Sequence, residues 1–165
     1  MQHPAYQIKI NFAIELVKQL LSQMDAAACL VLAGDLSRFR SFDLTDVSRE
    51  EIEVENNVYQ ASYGRLYIPL IGHNKYILKK EALPHVGIRT LIQDVQLERY
   101  GRLLFHAPDY CKNGAWLCDW FKLDFLETLE YEGVIQIEQA QPSANIIQRR
   151  TTAYQANLEI ERLGD

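Results

Sequence analysis

Residues 125–139 read "FLETLEYEGVIQIEQ", a stretch that joins a helical pattern to a strand pattern. Leucines at positions 123, 126 and 129 lie near one face of a helix. Gly133 follows them, and glycine is the usual residue just past a helix end because it accepts a left-handed backbone. Apolar residues from Val134 onward begin a strand, "QAQPSAN" supplies turn residues, and "IIQRRTTAY" at 146–154 returns as a second strand. The stretch predicts a helix followed by a β-hairpin.

The spacing L-x-x-L-x-x-x-G-x-I, from residue 126 to residue 135, resembles the final helix and first wing strand of the winged-helix superfamily. The resemblance covers residues 121–151. In DNA-reading members of that superfamily the last helix enters the major groove. The resemblance therefore implies a DNA-binding regulator, with Arg149 and Arg150 where a wing would present basic side chains.

The charge of the same region opposes DNA binding. Between Asp119 and Glu138 there are six acidic residues and a single lysine, and this window alone accounts for the formal net charge of −5. The remaining acidic and basic residues are equal in number, and no basic stripe of the kind that binds phosphate backbones is visible. We therefore expect a protein partner with a basic surface, and nucleic acid is the less favoured ligand.

Aromatic residues lie next to these acids and predict a contact surface, because aromatic side chains dominate interface hot spots as well as cores. The predicted partner-binding residues are Trp116, Trp120, Asp124, Glu127, Glu130 and Glu132.

The region before residue 88 predicts a helix and strands. Apolar residues recur at helical spacing over 6–24, which favours an N-terminal helix. The short apolar run 27–33 is typical of a buried strand. The stretch "VYQASYGRLYIPL" at 58–70 alternates as a strand does, and Pro69 places that strand at a sheet edge because proline lacks an N–H. Residues 72–80 then favour a turn and a returning strand.

After the break at 84–87, apolar residues fit one face of a helix over 88–100. The predicted fold is α+β: an N-terminal helix and a small mixed sheet, then helices and a C-terminal winged-helix-like β-hairpin. The predicted domains are an α/β domain over 1–87 and a helical segment with the hairpin over 88–165. No low-complexity linker divides them, so they could also form one continuous domain.

Candidate catalytic residues are few. Cys111 near His106 could form a thiolate pair in a cysteine-dependent hydrolase, and Asp94 with Glu98 could serve a nuclease. No orienting third group or Glu-x-Lys pattern accompanies them, and the His106–Cys111–Cys118 spacings do not match paired metal ligands. We expect no cofactor and no metal, and a small enzyme is the second alternative to the interaction module.

The compartment follows from three further features. The three cysteines are an odd number with no tight spacing, which argues against a disulfide framework, and the N-terminal residues do not form a secretory signal. The longest apolar run, at 26–33, is far shorter than the roughly 20 residues that span a bilayer. The sequence thus predicts a non-catalytic, cytoplasmic interaction or regulatory module with no membrane contact.

Overall fold

A computed structural model of the chain describes residues 5–36, 39, 42–45, 47–51 and 64–140. In chain order its elements are β1 (Tyr6–Ile10), α1 (Ala13–Ser22), β2 (Ala28–Gly34), β3 (Ser48–Glu51), β4 (Gly64–Pro69), α2 (Asn74–Ile77), a π-helical turn (Leu78–Ala82), a 3-10 turn (Leu83–His85), α3 (Ile88–Leu91), β5 (Ile92–Arg99), β6 (Arg102–Ala107), a left-handed turn (Asp109–Cys111), β7 (Ala115–Leu117), α4 (Leu123–Tyr131) and β8 (Ile135–Ala140).

The strands form a single eight-stranded sheet in the order β3-β4-β2-β5-β6-β7-β1-β8, and every pairing is antiparallel. Strand β1 lies between β7 and β8, so the first strand of the chain pairs with the last two strands. The sheet therefore depends on contacts between residues more than 100 positions apart, such as Tyr6 with Leu117.

One face of the sheet carries the main core. Alternate strand residues point to it, such as Ile8, Leu30 and Leu97, because successive side chains in a strand face opposite sides. Helix α1 contributes five buried residues to this core, and α4 contributes its three leucines. We call the opposite side of the sheet the open face. No helix within the described ranges is long and apolar enough to cross a membrane.

The predicted N-terminal helix is wrong in its first part. Tyr6, Ile8 and Ile10 are buried while Gln7 and Lys9 are more exposed, which is the period of two that a strand requires. The helix begins only at Ala13. Ile10 fits both periodicities, and this overlap is why the sequence pattern extends across the strand.

The helix predicted over 88–100 is also wrong. Only Ile88–Leu91 are helical, and Ile92–Arg99 form β5. Val95 and Leu97 face the core, whereas Asp94, Gln96 and Glu98 lie on the open face. The predicted class of an N-terminal helix and small sheet followed by helices is thus contradicted, since β5, β6, β7 and β8 all follow residue 88.

Two further predictions around β4 are corrected. Residues 74–85 are helical and not a returning strand. Strand β4 is not the sheet edge either, because β3 lies outside it. However, β3 pairs only with Gly64–Tyr67, so Pro69 lies beyond the part of β4 that needs outward-facing N–H groups. Its missing N–H therefore costs no hydrogen bond to β3, although β4 is not an edge strand.

The predicted strand at 27–33 is confirmed as β2, which pairs with β4 on one side and β5 on the other. Since β5 follows residue 88, both predicted domains contribute strands to the same sheet. The predicted helix and first hairpin strand of 121–151 correspond to α4 and β8, with Gly133 at φ 80° between them. Strand β8 pairs with β1, and the predicted return strand lies outside the described residues.

Candidate functional site

The predicted partner-binding residues fall on both sides of the sheet. Trp120 and Asp124 line a cavity of about 580 Å³ beside the end of α1, together with Phe125 and Thr128. Trp116 lies in β7 between Ala115 and Leu117, which face the core, so its indole is on the open face. The structure therefore does not bring the two tryptophans together.

The acidic residues are also divided. Arg102 forms an ion pair of 2.6 Å with Asp119, and Glu130 accepts a hydrogen bond of 2.7 Å from the backbone N–H of Ile137. Glu127 is half-buried on α4. Asp124 lines the cavity beside Trp120, whereas Glu132 lies at the other end of α4 and lines a second pocket. Asp124 and Glu132 therefore line different pockets at opposite ends of α4.

The second pocket is an open, mainly apolar groove of about 730 Å³, which we call the Phe12 groove. It lies where the β1–α1 connection, the start of α3 and the α4–β8 connection meet. Its lining residues are Asn11, Phe12, Ala13, Ile14, Glu15, Gly87, Ile88, Arg89, Thr90, Glu132 and Val134.

Backbone hydrogen bonds hold Phe12 in place. The N–H groups of Asn11 and Phe12 both donate to the carbonyl of Val134, at 2.9 and 3.2 Å, and the Asn11 side chain donates to the carbonyl of Gly133. The Phe12 side chain is nevertheless 62% exposed. Burying this exposed ring against a partner would be favourable by about 1.5–3 kcal/mol.

Two carboxylates and one arginine line the groove. Arg89 donates from Nη2 to the carbonyl of Ile10 at 2.7 Å, so its guanidinium is held against the β1 backbone. Glu15 accepts a hydrogen bond from Gln19 and is partly exposed, and Glu132 is exposed; both line the groove. The groove thus combines apolar walls with two carboxylates at its rim.

A separate polar cluster occupies the open face. His106 Nε2 lies 2.7 Å from Asp94 Oδ1, and the Gln96 amide donates to Asp94 Oδ2 at 2.9 Å. The imidazole centroid lies 5.8 Å from that of Trp116. These residues come from three neighbouring strands, and the antiparallel register places Gln96 opposite His106 and His106 opposite Trp116.

The cysteines are poorly suited to nucleophilic chemistry. Burial raises the pKa of the Cys111 thiol to about 11 and is also the main cause that raises the pKa of Cys29 to about 11. Burial likewise raises the pKa of Cys118. A thiolate is the reactive form, and each of these thiols is protonated at neutral pH. In the part of the chain that the structure describes, His, Cys, Asp and Glu residues form no group of three that could hold a metal.

No strong sequence signal marks the Phe12 groove, because its residues come from three separate segments of the chain. Phe12 lies inside the helical pattern predicted over 6–24, and only the structure places it just before the first residue of α1. The Asp94–His106 pair could not be predicted from the sequence either, because it forms only when residues 92–99 are a strand and the pattern there predicted a helix.

No protein-family profile matches the chain, and neither a curated protein nor a solved structure is significantly similar to it.

Proposed function

We propose that the protein is a non-catalytic interaction module that binds a segment of another protein in the Phe12 groove. The observation that carries this proposal is the exposed Phe12 ring, fixed by its backbone at the mouth of an apolar groove. Such exposed apolar surfaces on soluble domains mark binding sites more often than isolated exposed residues do.

The occupant we propose is an amphipathic helix with apolar anchors and basic flanking residues. Its apolar side chains would pack on Phe12, Ile14 and Val134, as helices do in hydrophobic grooves. Its lysines or arginines would lie near Glu15 and Glu132. Charge pairs at an exposed rim are worth roughly 0.2–1 kcal/mol each, so they would select the partner while apolar burial supplies most of the affinity.

We propose the cytosol as its compartment, because the three cysteines are free and two of them are buried inside the core. Secreted domains commonly pair such cysteines in disulfides.

The alternative of a DNA-binding regulator depends on Arg149 and Arg150, which lie outside the described residues. Helix α4, which would have to approach DNA, exposes Asp124 and Glu130 and leads to the exposed Glu132. Negative side chains on that helix repel phosphates, so this geometry favours the protein partner.

A suitable probe for fluorescence anisotropy is a labelled helical peptide of about 14 residues, with leucines on one face and lysines beside them. A second peptide carries glutamates in place of the lysines. We expect the lysine peptide to bind at least about fivefold more tightly than the glutamate peptide, because its lysines form two charge pairs with the carboxylates at the rim.

Matched variants distinguish binding in the groove from non-specific binding elsewhere on the surface. Phe12→Ala should abolish peptide binding, whereas Tyr76→Ala should not, since Tyr76 is 60% exposed but lies outside the groove lining. Glu132→Lys should weaken the lysine peptide, whereas Glu81→Lys should leave its affinity unchanged. Equal binding of both peptides, or binding that survives Phe12→Ala, would contradict the proposal.

A further inference from the structure

A row of side chains crosses the open face at its more exposed end. In the antiparallel register both His106 and Gln7 lie directly opposite Trp116, and Gln139 of β8 lies opposite Gln7. Trp116 is 37% exposed, although residues in the middle of a sheet are usually covered. The indole therefore offers an accessible aromatic surface with an imidazole on one side and an amide on the other.

The imidazole is held in a defined orientation. Asp94 contacts Nε2 of His106, and Gln96 in turn fixes the second oxygen of Asp94. When the ring is neutral, a carboxylate at Nε2 favours the tautomer that donates there, so Nδ1 becomes a hydrogen-bond acceptor. A histidine oriented in this way can accept a hydrogen bond at Nδ1 from a donor on a bound ligand.

A cation lies at a suitable distance along the same strand. Lys9 is two residues after Gln7 in β1 and is exposed on the same open face. Residues i and i+2 of a strand lie about 6.8 Å apart, so the ammonium and the Gln7 amide can contact different parts of one small molecule.

We propose that Trp116, His106, Gln7 and Lys9 form a binding subsite for a nucleoside monophosphate. The base stacks on the indole, because base–aromatic stacking contributes about 1–3 kcal/mol and needs only an exposed ring face. The Gln7 amide and His106 Nδ1 contact the edge of the base with a donor and two acceptors. Lys9 contacts the phosphate. This site lies on the opposite side of the sheet from the core, and it does not depend on the Phe12 groove.

The same nucleotide chemistry occurs in free nucleotides and in single-stranded nucleic acid. The structure favours the free nucleotide, because a polymer requires a groove of several cations along its backbone. Lys9 lies on this face two residues after Gln7, whereas two carboxylates share the face and would repel a chain of phosphates: Asp94, which contacts His106 at 2.7 Å, and Glu98, four residues farther along β5.

Tryptophan fluorescence can test the subsite directly, since the chain has only two tryptophans. Trp120→Phe leaves Trp116 as the sole emitter and removes an indole that lies near the core and not on the open face. AMP, adenosine, ribose 5-phosphate and a short oligoadenylate are titrated into this variant up to about 10 mM, a range that detects weak binding.

We expect saturable quenching by AMP, weaker quenching by adenosine and none by ribose 5-phosphate. Lys9→Ala should weaken AMP binding about fivefold, the loss of one charge-assisted contact, and leave adenosine unchanged. Lys80→Ala, an exposed lysine outside the site, should change neither affinity. Absence of saturable quenching by AMP would overturn the proposal. Quenching by the oligoadenylate alone, or equal AMP affinity in Lys9→Ala, would overturn it as well.

Discussion

The side chain of Asn74 joins the start of α2 to Thr45, a residue 29 positions earlier. Its Oδ1 accepts hydrogen bonds from the Thr45 N–H at 2.7 Å and from Thr45 Oγ1 at 2.9 Å. Its Nδ2 donates to the carbonyls of Thr45 and Pro69. Asn74 is fully buried, and all of its polar atoms are satisfied within this small region. This network fixes the connection that follows β4, which the sequence pattern presents as a strand.

Removing this network should be costly. We expect Asn74→Ala to lower the free energy of unfolding by about 2–3 kcal/mol, because buried partners lose their hydrogen bonds and a cavity remains. Asn113→Ala, at an exposed asparagine, should cost less than about 0.5 kcal/mol. Urea unfolding followed by circular dichroism measures both values. Similar losses for the two variants would show that the Asn74 contacts contribute little.

A second prediction concerns Gly34 at the end of β2, where the register with β5 shifts. Its φ is +134°, and an added Cβ would lie 2.4 Å from the Leu91 carbonyl oxygen and 2.6 Å from the Gln93 nitrogen. Both atoms belong to the backbone, so neither can move away easily. We expect Gly34→Ala to cost about 3 kcal/mol or more, or to prevent folding.

Gly133 is the matched control, because its φ is also positive, at +80°, but no atom lies within 4 Å of an added Cβ. Gly133→Ala should cost only about 1 kcal/mol, the penalty of a left-handed backbone for alanine. Denaturant midpoints of the two variants compare the clash with the backbone conformation alone. If Gly34→Ala were no worse than Gly133→Ala, the close approach at Leu91 would be refuted.

The fold was only partly predictable, and the reason is physical. Strand β2 and helix α4 have strong local patterns, so their sequences were sufficient. Strand β1 is stabilised by β7 and β8 more than 100 residues away, and no local pattern records those partners. In β5 the apolar residues satisfy a helical period as well as alternation. Hydrogen bonding to β2 and β6 decides between the two.

The candidate site shows the same limit. Trp116 and Trp120 are four residues apart, a spacing that would place them on one face of a helix. In the structure Trp116 belongs to β7 and Trp120 follows that strand, so they lie on different sides of the sheet. The residues that form the Phe12 groove and the Trp116 cluster meet only through long-range pairing, which sequence periodicity does not report.

A third prediction uses the tight turn between β5 and β6. Tyr100 and Gly101 have φ values of 51° and 76°, and Arg99 pairs with Arg102 on either side. This is the two-residue hairpin geometry that prefers Asn-Gly. The Tyr100 ring is 81% exposed, and the Arg99 guanidinium lies 4.8 Å from its centroid.

We expect Tyr100→Asn to raise the free energy of unfolding by about 0.5 kcal/mol. Relief of the left-handed backbone, worth about 1 kcal/mol, exceeds the roughly 0.5 kcal/mol lost with an exposed cation–π contact. Tyr131→Asn, at an exposed tyrosine in the last turn of α4, should give no gain because asparagine is a weaker helix former. Thermal unfolding compares the two variants, and a loss of stability in Tyr100→Asn would show that the cation–π contact is the larger effect.

The fourth prediction is a pH dependence caused by the buried Cys111 thiol. Its pKa in the folded protein is raised to about 11 by burial, whereas an unfolded cysteine has a pKa of about 8.5. Above about pH 8.5 the unfolded chain therefore releases a proton that the folded chain keeps. The resulting stability is fully present below that pH and is lost as the pH rises toward about 11.

Other groups titrate in this range, so the prediction is made on a difference between variants. We expect Cys111→Ala to be less stable than the wild type at about pH 8, and the gap to narrow by on the order of 3 kcal/mol by about pH 11, because alanine cannot ionise. Val31→Ala, which also removes a buried side chain, should keep a constant gap over the same range. Urea unfolding at several pH values measures both gaps. A Cys111→Ala gap that stayed constant would mean that the thiol ionises as readily in the folded protein as in the unfolded chain, and the case against a reactive Cys111 would fall with it.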